Sequence, residues 1–248
     1  MKKIDLGLRS AITTLTIFPF FGKDSSDFTK SLYWFVPVGI LLGFIVSGVA
    51  IFFTYFKLYF IGATIVVSSL VFLTRAFHLD GVADMADGFG GGWSEKERIL
   101  AIMKESTIGA FGLIATILLL ITKVATITTL LEKQQGSLLI WPILLSRLMA
   151  IFQIVFNRYA KERGGTASHL VENSKYRHLG VSLLTTALFY IIYPNIPILK
   201  LTLTFAFGLL VTLYIALKAR KKLGGITGDI IGSTVEYSET VMLIIVVF

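Results

Sequence analysis

The sequence predicts an all-α, polytopic membrane protein, and three observations carry that prediction. Hydrophobic residues make up 55% of the 248 positions and charged residues only 15%, with a mean hydropathy of +0.80, whereas a soluble domain carries about a quarter charged residues. The apolar residues come in long uncharged runs rather than stripes: no charge falls between Lys30 and Lys57, nor between Lys57 and Arg75. Runs of that length are membrane spans. The basic residues, finally, concentrate on alternate connections, as the positive-inside rule requires.

Taken in order, the chain begins with Leu8, Ile12 and Leu15 at helical spacing, ended by Pro19. Asp5 and Arg9 interrupt this region and no small-residue cleavage site follows, so it does not read as a signal peptide. It is too short to cross, which predicts an interfacial or re-entrant helix. Spans are then predicted at 32–56, 59–78, 108–131, 138–157, 180–197, 199–217 and 230–248. The connections on one side (1–31, 75–107, 158–179 and 218–229) hold 18 of the 23 basic residues. The other side holds Lys57, Lys133 and Lys200, while Lys123 and Arg147 fall inside spans. This split predicts a single integral membrane domain over 1–248, with the N-terminus and the 75–107 connection in the cytosol. It also accounts for the net charge of +8 as orientation, so no nucleic acid is called for. The absence of cysteine excludes disulfides and thiolate chemistry. No internal repeat is visible, which weighs against an inverted-repeat transporter.

The polar stretch RAFHLDGVADMADGFGGGW, from Arg75 to Trp93, is where chemistry is expected. Asp80, Asp84 and Asp87 stand at i, i+4 and i+7, on one face of a helix. Three like charges on one face call for a cation. Mg²⁺ suits them, since it takes one or two carboxylates together with phosphate oxygens and waters. The segment is expected to prolong the second span, bringing the carboxylates to the membrane boundary. Gly88 and Gly90, Gly91 and Gly92 are expected to bring backbone amides close to phosphate. His78 is a candidate general base or phosphate donor, or simply a bonded residue at a span end. Beyond it, Ser94 and Glu97 form a capping box for a short helix with Ile99, Leu100, Ile102 and Met103 on its apolar face. IGAFG at 108–112 suits close helix packing.

A second polar cluster, GGITGDIIGSTVEYSE, spans 224–239. Gly225, Thr227 and Gly228 precede Asp229 at the expected start of the last span, where helix amides and dipole favour phosphate, and Thr227 or Asp229 can cap the helix. Glu236 lies on the face of Asp229, with Glu239 one turn further. Glu236 is either an acid of the site or a packing partner of Lys123 or Arg147. The basic connection with Arg158, Lys161, Arg163, His169, Lys175, Arg177 and His178 offers a landing surface for nucleotide phosphates. On the residues alone, CDP-alcohol phosphotransferases and polyprenyl transferases share this logic. A cation transporter fits less well, because the acids gather at one face.

HLDGVADMADGFGGGW with the downstream IMKESTIGAFG resembles the signature of the cobalamin synthase family, the adenosylcobinamide-GDP ribazoletransferases. GGITGDIIGSTVEYSE resembles that family's second, C-terminal segment, and TTLTIFPF sits where the family has a threonine–proline stretch. Glu105 and Thr107 depart from the pattern. The resemblance covers essentially the whole chain. It implies a Mg²⁺-dependent integral membrane enzyme whose partners are adenosylcobinamide-GDP and α-ribazole or its 5′-phosphate. In that reaction a ribazole hydroxyl attacks the cobinamide-linked phosphate and GMP leaves. It further implies that Asp80, Asp84, Asp87 and Asp229 hold the metal, that Asp229, Glu236 or His78 serves proton transfer, and that the two glycine clusters cradle phosphate. A homo-oligomer is compatible with all of this.

Overall fold

The computed structural model describes residues 5–18, 28–92, 95–160 and 166–248. Pro19, Trp93, Ser94, Lys161 and Arg163, singled out above, lie outside the described residues. Eleven α-helices are described: α1 (Asp5–Leu15), α2 (Phe35–Tyr55), α3 (Tyr59–Leu73), α4 (Phe77–Gly91), α5 (Lys96–Ile102), α6 (Ala110–Glu132), α7 (Ile140–Phe156), α8 (Thr166–Asn173), α9 (Tyr176–Ile192), α10 (Ile198–Leu223) and α11 (Gly228–Val247). Short 3₁₀ turns lead into α2 and α7. The remaining regular feature is an isolated parallel bridge between Tyr159 and Ile226.

Helix α7 is the axis of the bundle, with α2 and α11 packed tightly on it. Nearly all of its residues are buried, including Trp141, Leu144, Arg147 and Leu148. Two glycines four apart on α2 make the approach possible. A Cβ on Gly39 would stand 2.9 Å from the Leu144 Cα, and one on Gly43 would stand 2.6 Å from the Ile140 Cγ1. Small residues at this spacing are how membrane helices gain contact where hydrophobic burial gives no advantage. On the outer helices Phe52, Phe60, Leu118, Ile192 and Leu199 are exposed, as side chains facing lipid should be.

One expectation is corrected here. Among the described residues five helical segments are long and apolar enough to cross a membrane, or six if the bent pair α3 and α4 counts as one, beside the seven spans that the sequence predicts. Helix α9 has only 17 residues, stopped by Pro194 and Pro197. The acidic segment, moreover, does not prolong the second span, because α4 turns 88° away from α3. Arg75 and Ala76 make the corner, both in the left-handed region at φ 54°. The corner is held by the Ala76 amide on the Val71 carbonyl at 2.8 Å and by the Arg75 guanidinium on the Thr13 carbonyl of α1.

Candidate active site

Helix α4 presents its acids at graded depth: Asp80 is exposed, Asp84 partly buried and Asp87 buried. Asp87 has a structural duty that the spacing did not reveal. Its Oδ2 accepts the Gly109 amide at 2.7 Å and its Oδ1 the Gly112 amide at 2.8 Å. The first turn of α6, whose amides lack helical partners, is thus capped by an acid from another helix. A Cβ on either glycine would strike that carboxylate, which explains the small residues at 108–112. Asp87→Asn puts an amide NH₂ against a backbone N–H, and should cost about 1–3 kcal/mol, read as a lowered unfolding temperature in detergent.

The start of α11 lies across α4. Gly81 sits beneath the main chain of Asp229, so that a Cβ there would stand 2.6 Å from the Asp229 carbonyl oxygen. The Ser233 hydroxyl closes the junction, 2.7 Å from the Gly81 carbonyl and 2.6 Å from that of Asp229. Thr227 caps α11 through a long 3.4 Å bond from the Ile230 amide and donates to Asp229 Oδ2 at 3.1 Å. The loop before it is clamped: the Ile226 amide donates to the Arg158 carbonyl and the Ala160 amide to the Ile226 carbonyl, both at 2.9 Å. Arg158 Nε also donates to the Gly224 carbonyl at 2.6 Å. Gly225 is glycine because the Arg158 and Tyr159 backbone leaves no room for a Cβ. Gly228 starts α11 with only Ala167 nearby, at 3.4 Å from a virtual Cβ. Gly81→Ala pushes Asp229 off α4; the overpacking should cost about 1–3 kcal/mol and lower turnover beyond what that instability explains at temperatures where the variant is folded.

The bridge also brings in a residue that sequence reasoning missed. The Tyr159 phenol is raised above its ordinary pKa by burial, then by the Asp229 and Glu172 carboxylates. It is therefore a neutral hydrogen-bond donor beside the start of α11 at physiological pH. Only its place next to a basic loop could have signalled it, because the pairing with Ile226 is long-range.

The glycines after Asp87 behave differently from expectation. Gly88, Gly90 and Gly91 belong to α4, where amides are bonded to carbonyls four residues back, and the Gly92 amide donates to the Gly88 carbonyl at 3.0 Å. They make room for neighbours instead: Gly88 for Met103, Gly90 for the Phe111 ring and Gly92 for Ile99. In this run the small residues allow close packing of α4 on α5 and α6. A helix does form at Lys96–Ile102, with Ile99 and Met103 buried, but its N-cap is Glu95 and carries no side-chain bond, so the expected Ser94–Glu97 capping box is not what starts it. Histidines of the basic connection also have structural partners. His178 accepts the Lys175 amide at 2.9 Å and packs on Tyr33, and His169 meets Thr29 at 3.4 Å.

His78 and Glu236 point to the interior. Two positions before Asp80 on a helix, His78 faces the opposite side; it is buried and, with Arg147, lines a cavity of about 70 Å³ beneath α8 and Gly232. Glu236 takes the packing alternative. Lys123 Nζ stands 2.6 Å from Glu236 Oε2 and 2.7 Å from Glu239 Oε1, and Arg147 Nη1 stands 2.5 Å from Glu239 Oε2. Ser146 adds a 3.2 Å bond to Glu239. Two cations and two anions, all buried, tie α6 and α7 to α11 some two turns below Asp229.

Among the described residues no three His, Asp or Glu side chains converge into a ready cage for a cation. Mg²⁺ does not require one, since one or two carboxylates with substrate phosphates and waters suffice. Asp80 and Asp84, one turn apart on the open face of α4, fit that donor set.

The chain is similar to known proteins over nearly its whole length. The family model for cobalamin-5-phosphate synthase matches residues 7–247. A protein of Chlorobium phaeovibrioides named adenosylcobinamide-GDP ribazoletransferase is 38% identical over 94% of this chain and 93% of its own length. Proteins with the same name from Prosthecochloris aestuarii and Chlorobium phaeobacteroides are 36% and 33% identical, over 95% and 98% of this chain and 95% and 97% of theirs. No solved structure matches. Matched almost end to end, with both polar clusters inside the match, the chain belongs to the cobalamin-5-phosphate synthase family.

Proposed function

We propose that this chain is a transferase of cobalamin synthesis that joins α-ribazole, or its 5′-phosphate, to adenosylcobinamide-GDP with release of GMP. The observation that carries the reading is the junction of α4 and α11, which sets Asp80 and Asp84 beside a helix start suited to phosphate. Asp80 and Asp84 would hold Mg²⁺, which when bound would supply charge neutralisation for the diphosphate and the leaving GMP. The first amides of α11, at Gly228 and Asp229, bind a phosphate oxygen, and the Tyr159 phenol donates a further hydrogen bond. Asp229 takes the proton of the attacking hydroxyl, whose oxygen bonds to the cobinamide-linked phosphorus as the bond to the GMP phosphate breaks. Asp87 positions α4 against α6 without touching substrate. Positioning and charge neutralisation carry most phosphoryl transfers, so no covalent intermediate is invoked. The concentration of basic residues on the connections flanking this junction supports a cytosolic site.

The test is GMP release by purified protein given adenosylcobinamide-GDP, with α-ribazole and its 5′-phosphate as alternative acceptors. Release that requires both Mg²⁺ and an acceptor is the expected result. No release from folded protein, with turnover of a CDP-alcohol or a prenyl diphosphate instead, would replace the reading.

A further inference from the structure

Away from the junction, a groove of about 340 Å³ runs between α4, α10 and α11. Its walls are Met85 and Phe89 of α4, Ile215 of α10, and Tyr237 and Val241 of α11. No acidic side chain lines it, and its lining is almost wholly apolar, which disfavours a polar solute and favours a hydrocarbon chain. One end is strongly basic. Lys218 lies at the groove with its ammonium 4.8 Å from the centre of the Tyr214 ring. Arg220, Lys221 and Lys222 follow in the last turn of α10. Arg220 is engaged by Asn157 and the Phe156 carbonyl. Lys222 reaches over the Phe89 ring at 5.5 Å. Lys218 and Lys221 are exposed, near the C-terminal end of the apolar helix α10.

We propose that this groove binds one anionic phospholipid, its acyl chain lying along Met85, Phe89 and Ile215 and its phosphate on Lys218 and Lys221. The charge pattern selects the occupant: an apolar trough with no acidic side chain in its lining, and with Lys218 and Lys221 exposed at one end, fits an anionic headgroup better than a zwitterionic one. One wall of the groove is α4 itself, on the side away from Asp80 and Asp84. A seated chain therefore steadies the helix that carries those acids, and the lipid acts as an allosteric support. Binding is independent of the reaction assigned above, and only the effect on turnover rests on it.

The experiment is native mass spectrometry of the delipidated, purified protein titrated with phosphatidylglycerol or phosphatidylcholine, paired with GMP release in nanodiscs of each composition. Wild type should retain one phosphatidylglycerol several-fold better than phosphatidylcholine. Lys218→Glu should remove that preference, Ile215→Trp, which fills the trough, should remove retention of both lipids, and Lys200→Glu at the other end of α10 should change nothing. Turnover should be several-fold higher with phosphatidylglycerol in wild type, and equal in both discs for Lys218→Glu. Equal retention of the two lipids by wild type, undiminished phosphatidylglycerol retention by Lys218→Glu, or lipid displaced by a second copy of the chain would overturn the proposal. If GMP release is absent altogether, the retention data still decide it.

Discussion

Asp84→Asn should lower GMP release by about a hundredfold or more, the loss that follows when a ligand to a catalytic ion is removed rather than one of its supports. The substitution preserves shape and removes charge at a partly buried position on the open face of α4. Asp87→Asn makes the informative contrast. That carboxylate holds the Gly109 and Gly112 amides, so its loss should appear first in unfolding temperature and only secondarily in turnover. Two acids three residues apart would thus separate cleanly into one that carries charge for the reaction and one that holds a helix. Near-normal turnover in Asp84→Asn would remove the carboxylate pair from the mechanism.

Lys123→Met should destabilise the protein by about 3–5 kcal/mol, because it leaves Glu236 buried without its cation. Glu239 keeps Arg147 at 2.5 Å, so the damage lies with one carboxylate. Removing that carboxylate as well, in Lys123→Met with Glu236→Met, restores a neutral interior containing the Arg147–Glu239 pair and should recover most of the loss. Unfolding temperatures of the two single variants and the double variant give the coupling directly. A double variant no more stable than Lys123→Met would mean that Lys123 and Glu236 do not act as a pair. GMP release should follow stability in this series rather than vanish, since the cluster fixes α11 from two turns below Asp229.

Much of the architecture was legible because membrane spans are written in composition. The predicted spans at 32–56, 108–131, 138–157, 199–217 and 230–248 coincide with α2, α6, α7, α10 and α11 to within a few residues at most ends. The corner between α3 and α4 was not legible. It contains neither glycine nor proline, and Arg75 and Ala76 adopt a left-handed backbone that such residues take only when tertiary contacts impose it. The shared face of Asp80, Asp84 and Asp87 followed from spacing, but spacing cannot say that Asp87 meets amides more than twenty positions later. Glycine was the most ambiguous signal. It marks close approach of a phosphate and of a neighbouring side chain equally well, and only the presence of Ile99, Met103 and Phe111 distinguishes the two at 88–92. Glu236 and Lys123 show the converse. Each was recognisable as a buried charge in a span, and the partner became definite once α6 and α11 were seen side by side.

The account rests on the α4–α11 junction gathering a divalent ion and a diphosphate together, and Mn²⁺ can report this without turnover. Electron paramagnetic resonance of free Mn²⁺, titrated into purified protein with GDP present, should show the ion taken up by wild type and far less by Asp84→Asn, with Asp87→Asn retaining uptake while folded. Equal uptake by wild type and Asp84→Asn would contradict the central claim and move the site away from α4.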